Sequence, residues 1–172
     1  MATDSCGYEM EVVSQYYAKY RPTYPPELYK KILQYLDESS PEKNGRRSLA
    51  VDVGCGCGQS TLALARHFEV VIGIDSSKTQ LIEAEKASVD YRSVSYRQAF
   101  AEDMSSAVAV ESADLVTAGS AVHWFDIVQF YEEALKILRP GGVLAAYIYE
   151  LPRWKNPDAN SLIHQVSNFF FT

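Results

Sequence analysis

The sequence predicts an α/β fold, a doubly wound and mainly parallel sheet with helices on both faces. Three observations predict it. From residue 48 onward, short apolar runs rich in β-branched residues alternate with amphipathic helical stretches. Each run is bounded by glycine or aspartate. A glycine-rich turn, "GCGCG" at 54–58, lies between the first run and the first of those helices.

The elements follow in order. The N-terminal stretch reads as two helices broken at "RPTYPP", residues 21–26, because proline cannot continue a helix yet suits a first turn. In the second helix Leu28, Ile32, Leu33 and Leu36 recur at helical spacing. Strands are expected at "SLAVDV" (48–53), "EVVIGID" (69–75), "ADLVTAG" (113–119) and "GGVLAAYIYE" (141–150), with a weaker one at "SVSYRQAF" (93–100). Helices are expected at "QSTLALARHF" (59–68), "SKTQLIEAEKAS" (77–88) and "DIVQFYEEALKIL" (126–138). The tail, "NSLIHQVSNFFFT", places Leu162, Ile163, Val166, Phe169 and Phe170 on one helical face.

Composition bounds the function. The 172 residues are one domain's worth, 47% hydrophobic and 22% charged, and carry a formal charge of −6. Such a surface argues against nucleic acid and anionic membrane as partners, since both select basic patches. The start, "MATDSCGYEMEVV", is acidic where a secretory signal is basic, and no apolar run approaches the roughly eighteen residues of a membrane span. Three cysteines, two of them one residue apart, make no disulfide framework, so a cytoplasmic location is expected. No metal is expected either. Cys55 and Cys57 are too few to hold zinc, and they read as small residues filling a turn.

Gly54, Gly56 and Gly58 set the chemistry. A strand, glycine turn and helix bring backbone N–H groups and the positive helix end beside a ligand. The dinucleotide pattern G-x-G-x-x-G requires a third glycine at position 59, which is Gln59. The pattern present is D-x-G-x-G-x-G, opened by Asp52. A carboxylate there is unfavourable for a pyrophosphate and suits a ligand carrying ammonium and sulfonium groups. Asp75, about twenty residues on at the end of the second strand, is placed for ribose hydroxyls, with Ser76 next to it. "DSSK" could equally use that aspartate as a helix cap. Ser120, His123 and Trp124 follow the fourth strand, at the end of the sheet where ligands bind. His123 is the candidate general base, weighed against a packing role beside Trp124.

"VDVGCGCGQST" resembles the first motif of the class I S-adenosylmethionine-dependent methyltransferases. "QAFAEDM", "HWFD", "YAKYRPTYPPEL" and "LKILRPGGVLAAYIYE" are similar to further segments of that family, type 11-like, and of its trans-aconitate methyltransferase subgroup. The resemblance implies S-adenosylmethionine as cofactor and a small-molecule acceptor, a carboxylate among the options. It implies that Asp52 and the Gly54–Gly58 backbone, Cys55 included, hold the methionine end, with Tyr20 and Arg21 near its carboxylate. Asp75 and Ser76 serve the ribose. Ala101 and Glu102 hold the adenine, with Asp103 as a rival for the acid. It divides the chain into a helical lid (1–40), a cofactor-binding core (41–150) and a C-terminal loop and helix (151–172), and makes "RPGG" the turn before the fifth strand.

Sheets of this class end in two further strands. Only 22 residues follow Glu150, so the expectation is a truncated sheet without them. That leaves self-association through the fifth strand or the terminal helix as an expectation. It also leaves two rival functions, an inactive cofactor-binding or partner-interaction protein and an NAD-dependent oxidoreductase. Gln59 and Asp52 disfavour the second.

Overall fold

A computed structural model describes residues 23–149. The chain enters through α1 (Pro26–Ser39), whose first turn takes Pro26 without losing a hydrogen bond. A 3-10 turn, Pro41–Lys43, leads to β1 (Leu49–Val53), α2 (Gln59–Leu64), β2 (Val70–Asp75), α3 (Lys78–Ala87) and β3 (Val94–Gln98). A second 3-10 segment, Ala101–Ser106, precedes β4 (Ala113–Gly119) and a third, Val122–Trp124. The described chain then closes with α4 (Ile127–Ile137) and β5 (Leu138–Tyr147).

The five strands form one sheet in the order β3-β2-β1-β4-β5, with each neighbouring pair parallel. Helix-containing crossovers carry the chain outward from β1 to β3, and then back across to β4 and β5. The direction reverses between β1 and β4, and the crevice at their carboxyl ends is where such sheets bind ligands. Side-chain alternation along each strand separates the core into two layers. Val51, Val53, Ile72, Ile74, Val116 and Ala118 pack under α4 and the Ala101–Ser106 segment. Ala50, Val71, Leu115 and Val143 face the other way, against Leu64, Phe68 and the Tyr29, Ile32, Leu33 and Leu36 face of α1.

Two local expectations are corrected. "RPGG" is not a free turn, because α4 ends at Ile137 and β5 begins at Leu138. The register moves from Ala113↔Leu138 to Leu115↔Val143, so Arg139–Gly142 form a bulge within the strand. Gly141 takes φ +76°, and Arg139 is pinned by Asp114. Helix α2 stops at Leu64 rather than reaching Phe68, and its end tightens through the His67 N–H to the Leu64 carbonyl at 2.8 Å. Among the described residues no helix is long and apolar enough to cross a membrane. The terminal apolar helix expected at 160–172 lies outside the described residues.

Candidate cofactor site

The glycine turn leaves β1 at its carboxyl end. Gly54, Gly56 and Gly58 adopt φ of +64°, +55° and +83°, a left-handed alternation that only glycine takes without strain. A Cβ on Gly54 would lie 2.5 Å from the Ala121 Cβ, so the turn after β4 packs directly on the loop. A Cβ on Gly58 would lie 2.5 Å from the Tyr96 hydroxyl, which supports the loop from β3.

The loop amides depart from the expectation of free donors. The Cys55 N–H donates to the Ile74 carbonyl at 3.0 Å, and the Gly58 N–H to the Cys55 carbonyl at 3.0 Å. The Gly56 N–H donates to Asp75 Oδ2 at 2.8 Å. A dinucleotide pyrophosphate draws on such donors, and here three are taken. What the loop offers is close backbone approach beside carboxylates.

Asp52 lies below the loop, only 1% exposed. Its Oδ2 accepts from the Thr61 hydroxyl at 2.7 Å and its Oδ1 from the Thr117 hydroxyl at 2.8 Å. In this pairing Asp52 sits under the loop that, with it, is expected to hold the methionine end. Asp52 joins α2 and β4 beneath the loop, because strand alternation turns it inward toward α2. Asp75 is half-buried at the end of β2, and its Oδ1 also accepts from the Ser77 N–H at 2.8 Å. Ser77 rather than Asp75 caps α3. Ser76 is exposed beside it and uses its carbonyl to accept from Gln98 Nε2 at 2.9 Å.

At the end of β3, Ala101 is buried and opens the 3-10 segment, with Phe100 exposed before it. Glu102 Oε1 accepts the Asp126 N–H at 2.8 Å and so ties that segment to the start of α4. Asp103 is exposed. After β4, Ser120 is half-buried with φ +53°, a strained value for serine. His123 and Trp124 are both exposed, with ring centroids 5.0 Å apart. Tyr20 and Arg21 lie outside the described residues.

Residues that sequence reasoning did not single out complete the crevice wall. The Tyr24 hydroxyl lies 2.7 Å from Ser120 Oγ. Ser60 Oγ lies 2.5 Å from the Tyr147 hydroxyl and accepts from the Tyr29 hydroxyl at 3.3 Å. Burial raises the pKa of Tyr29 and Tyr147, so these phenols stay protonated. The available signal was alternation, which puts Tyr147 on the same face of β5 as Val143 and Ala145. Burial, with Asp52 and Asp75 nearby, also holds the Cys55 thiol well above its ordinary pKa. Cys57 Sγ donates to Gln80 Oε1 at 2.6 Å. An open cleft of about 670 Å³ between α1 and the end of α2, lined by Lys30, Leu33, Arg47 and His67 among others, includes no residue of the glycine loop.

Fold and site define a nucleoside-binding α/β domain. The Asp75 carboxylate and the paired loop amides suit a nucleoside better than a pyrophosphate. A family model for a methyltransferase domain, Methyltransf_11, matches residues 51–146, and the chain belongs to that family. A protein of Dictyostelium discoideum, described as a methyltransferase, is 38% identical over 153 residues, 89% of this chain and 53% of its own length. CRG1 of Saccharomyces cerevisiae, described as S-adenosylmethionine-dependent, is 33% identical over 88% of this chain and 51% of its own. A solved structure described as a type II methyltransferase from Anaeromyxobacter dehalogenans superposes with a TM-score of 0.65 at 34% identity, covering 86% of this chain and 56% of that one. The chain spans about half the length of the curated relatives it matches. Family and site together indicate S-adenosylmethionine as the cofactor.

Proposed function

We propose that the chain binds S-adenosylmethionine across the carboxyl ends of β1 and β4, and that its activity is methyl transfer to a small-molecule acceptor, a carboxylate first among them. The observation that carries the cofactor reading is the glycine turn with its amides consumed and Asp75 at its edge. The acceptor class draws support from a Trans-aconitate 2-methyltransferase of Azoarcus, 30% identical over 84% of this chain and 56% of that one.

The cofactor supplies an activated methyl on a sulfonium leaving group. The protein's work is then alignment and exclusion of water. Asp75 would accept from the ribose hydroxyls, and Ala101 and Glu102 would bracket the adenine. The loop backbone and Ser120 would face the methionine end, which Tyr20 and Arg21 would close from the segment before α1. In this reading residues 1–40 serve as the lid, 41–150 as the core and 151–172 as an appended loop and helix.

Calorimetric titration with S-adenosylhomocysteine, beside Asp75→Ala and an NAD control, tests the reading. Saturable binding that Asp75→Ala weakens about a hundredfold supports it. NAD binding, or no binding by a chain whose circular dichroism shows it folded, overturns it. A second reading, a cofactor-binding module that self-associates, is supported by β5, a long apolar strand paired on one side only among the described residues. Light scattering behind size-exclusion chromatography tests it, and a monomer at all concentrations would end it.

A further inference from the structure

The turn after β4 is built against its own preference. Ser120 holds φ +53°, a left-handed conformation that side chains other than glycine, asparagine and aspartate rarely adopt. Such strain persists only where the surroundings over-determine it. Here they do so from two sides. The Ser120 N–H donates to the Tyr147 carbonyl at 2.7 Å, which anchors the turn to the end of β5. The Ser120 hydroxyl is 2.7 Å from the Tyr24 hydroxyl, which reaches it from the segment leading into α1.

Tyr24 is itself held. Its ring meets Tyr147 edge-on at 4.7 Å and lies 5.8 Å from Tyr149. Both rings cover Gly119, where a Cβ would come within 2.8 Å of Tyr147 and 3.2 Å of Tyr24. Ala121, the residue after Ser120, is the one whose Cβ bears on Gly54. A continuous contact path thus runs from Tyr24 through Ser120 and Ala121 to the first glycine of the cofactor loop.

We infer that Tyr24 is a positioning residue for the cofactor. Its phenol latches Ser120 in the left-handed turn, the turn seats Ala121 on Gly54, and the loop is thereby fixed before the ligand arrives. The inference rests on the cofactor reading above and adds to it a route by which the segment preceding α1 sets cofactor affinity. Binding to a loop already fixed avoids the ordering cost that a loose loop imposes.

Affinity for S-adenosylhomocysteine in a small set of variants tests the latch. Tyr24→Phe removes one oxygen and is expected to weaken binding five- to tenfold. Ser120→Ala keeps the strain and loses the bond, so it should weaken binding at least as much. Ser120→Gly relieves the strain, because glycine takes this φ freely, and should bind more tightly than Ser120→Ala. Adding Tyr24→Phe to Ser120→Gly should cost less than twofold. The latch is overturned if Ser120→Gly binds no better than Ser120→Ala. It is equally overturned if Tyr24→Phe costs the same in both backgrounds, since the phenol would then act on the ligand itself. Absence of binding by the unmodified chain would instead count against the cofactor reading, so the two failures are separable. Circular dichroism of each variant verifies the fold.

Discussion

Asp75 Oδ2 accepts the Gly56 N–H at 2.8 Å, a bond that joins the end of β2 to the centre of the glycine turn. One carboxylate thus shapes the loop at the edge where the ribose is proposed to bind. Removing it should harm binding twice over. Asp75→Asn retains one acceptor oxygen and is expected to weaken S-adenosylhomocysteine about tenfold. Asp75→Ala should weaken it about a hundredfold, since hydrogen bonds to a charged group contribute about 1.5–3 kcal/mol each. Isothermal titration reads both. Equal affinities across the three proteins would remove Asp75 from the site.

Asp52 gives a different expectation, in stability. Its two oxygens satisfy Thr61 and Thr117 at a point 1% exposed, so Asp52→Ala strands two hydroxyls between α2 and β4. The unfolding free energy should fall by about 2–4 kcal/mol, the penalty for leaving buried polar groups unpaired. Asp52→Asn should cost less, since an amide can still pair with hydroxyls. Urea unfolding measures both, and a loss below about 1 kcal/mol for the alanine variant would show that the network is not structural.

These two aspartates show what was legible. The strands were, because each is an apolar run between glycine or aspartate, and the loop was, because three alternating glycines in that context have few other uses. The inward turn of Asp52 was not. Its partners depend on strand order, which pairs Asp52 with Thr117 across 65 residues. Tyr24 and Ser120 meet across 96 residues, and only the docked entry to α1 brings them together. "RPGG" read as a turn because composition alone says so. Asp114, out of reach of any local pattern, holds Arg139 and keeps the segment within the strand.

The Tyr96 hydroxyl lies against Gly58; it is buried without a well-formed hydrogen bond among the described residues, and burial raises its pKa against the opposing influence of the Ser88 side chain. An unpaired buried hydroxyl is a cost that removal recovers. Tyr96→Phe should therefore leave stability unchanged or raise it by about 1 kcal/mol, with the ring still filling the space beside Gly58 and Gly73. Thermal and urea unfolding would both register this. A loss of more than about 1 kcal/mol would mean that the hydroxyl is satisfied in solution.

At the amino end of the sheet, Asp114 is 1% exposed and gathers four donors. The Ser48 and Leu49 N–H groups donate at 2.7 and 2.9 Å, Lys43 lies at 3.2 Å, and Arg139 donates through Nε. Burial works to raise the Asp114 pKa, but the Leu49 N–H, Arg139, the Ser48 N–H and Lys43 together hold it below the ordinary carboxylate range. A folded-state pKa below the unfolded one means that the stabilisation is complete above the unfolded value, about 3.9, and is lost as pH falls through the folded value. Urea midpoints should hold through neutral pH and drop below about pH 4. Asp114→Asn should be less stable at pH 7 and show a flatter acid slope, since the group that titrates is gone. Parallel slopes for the two proteins would assign the acid sensitivity to other carboxylates.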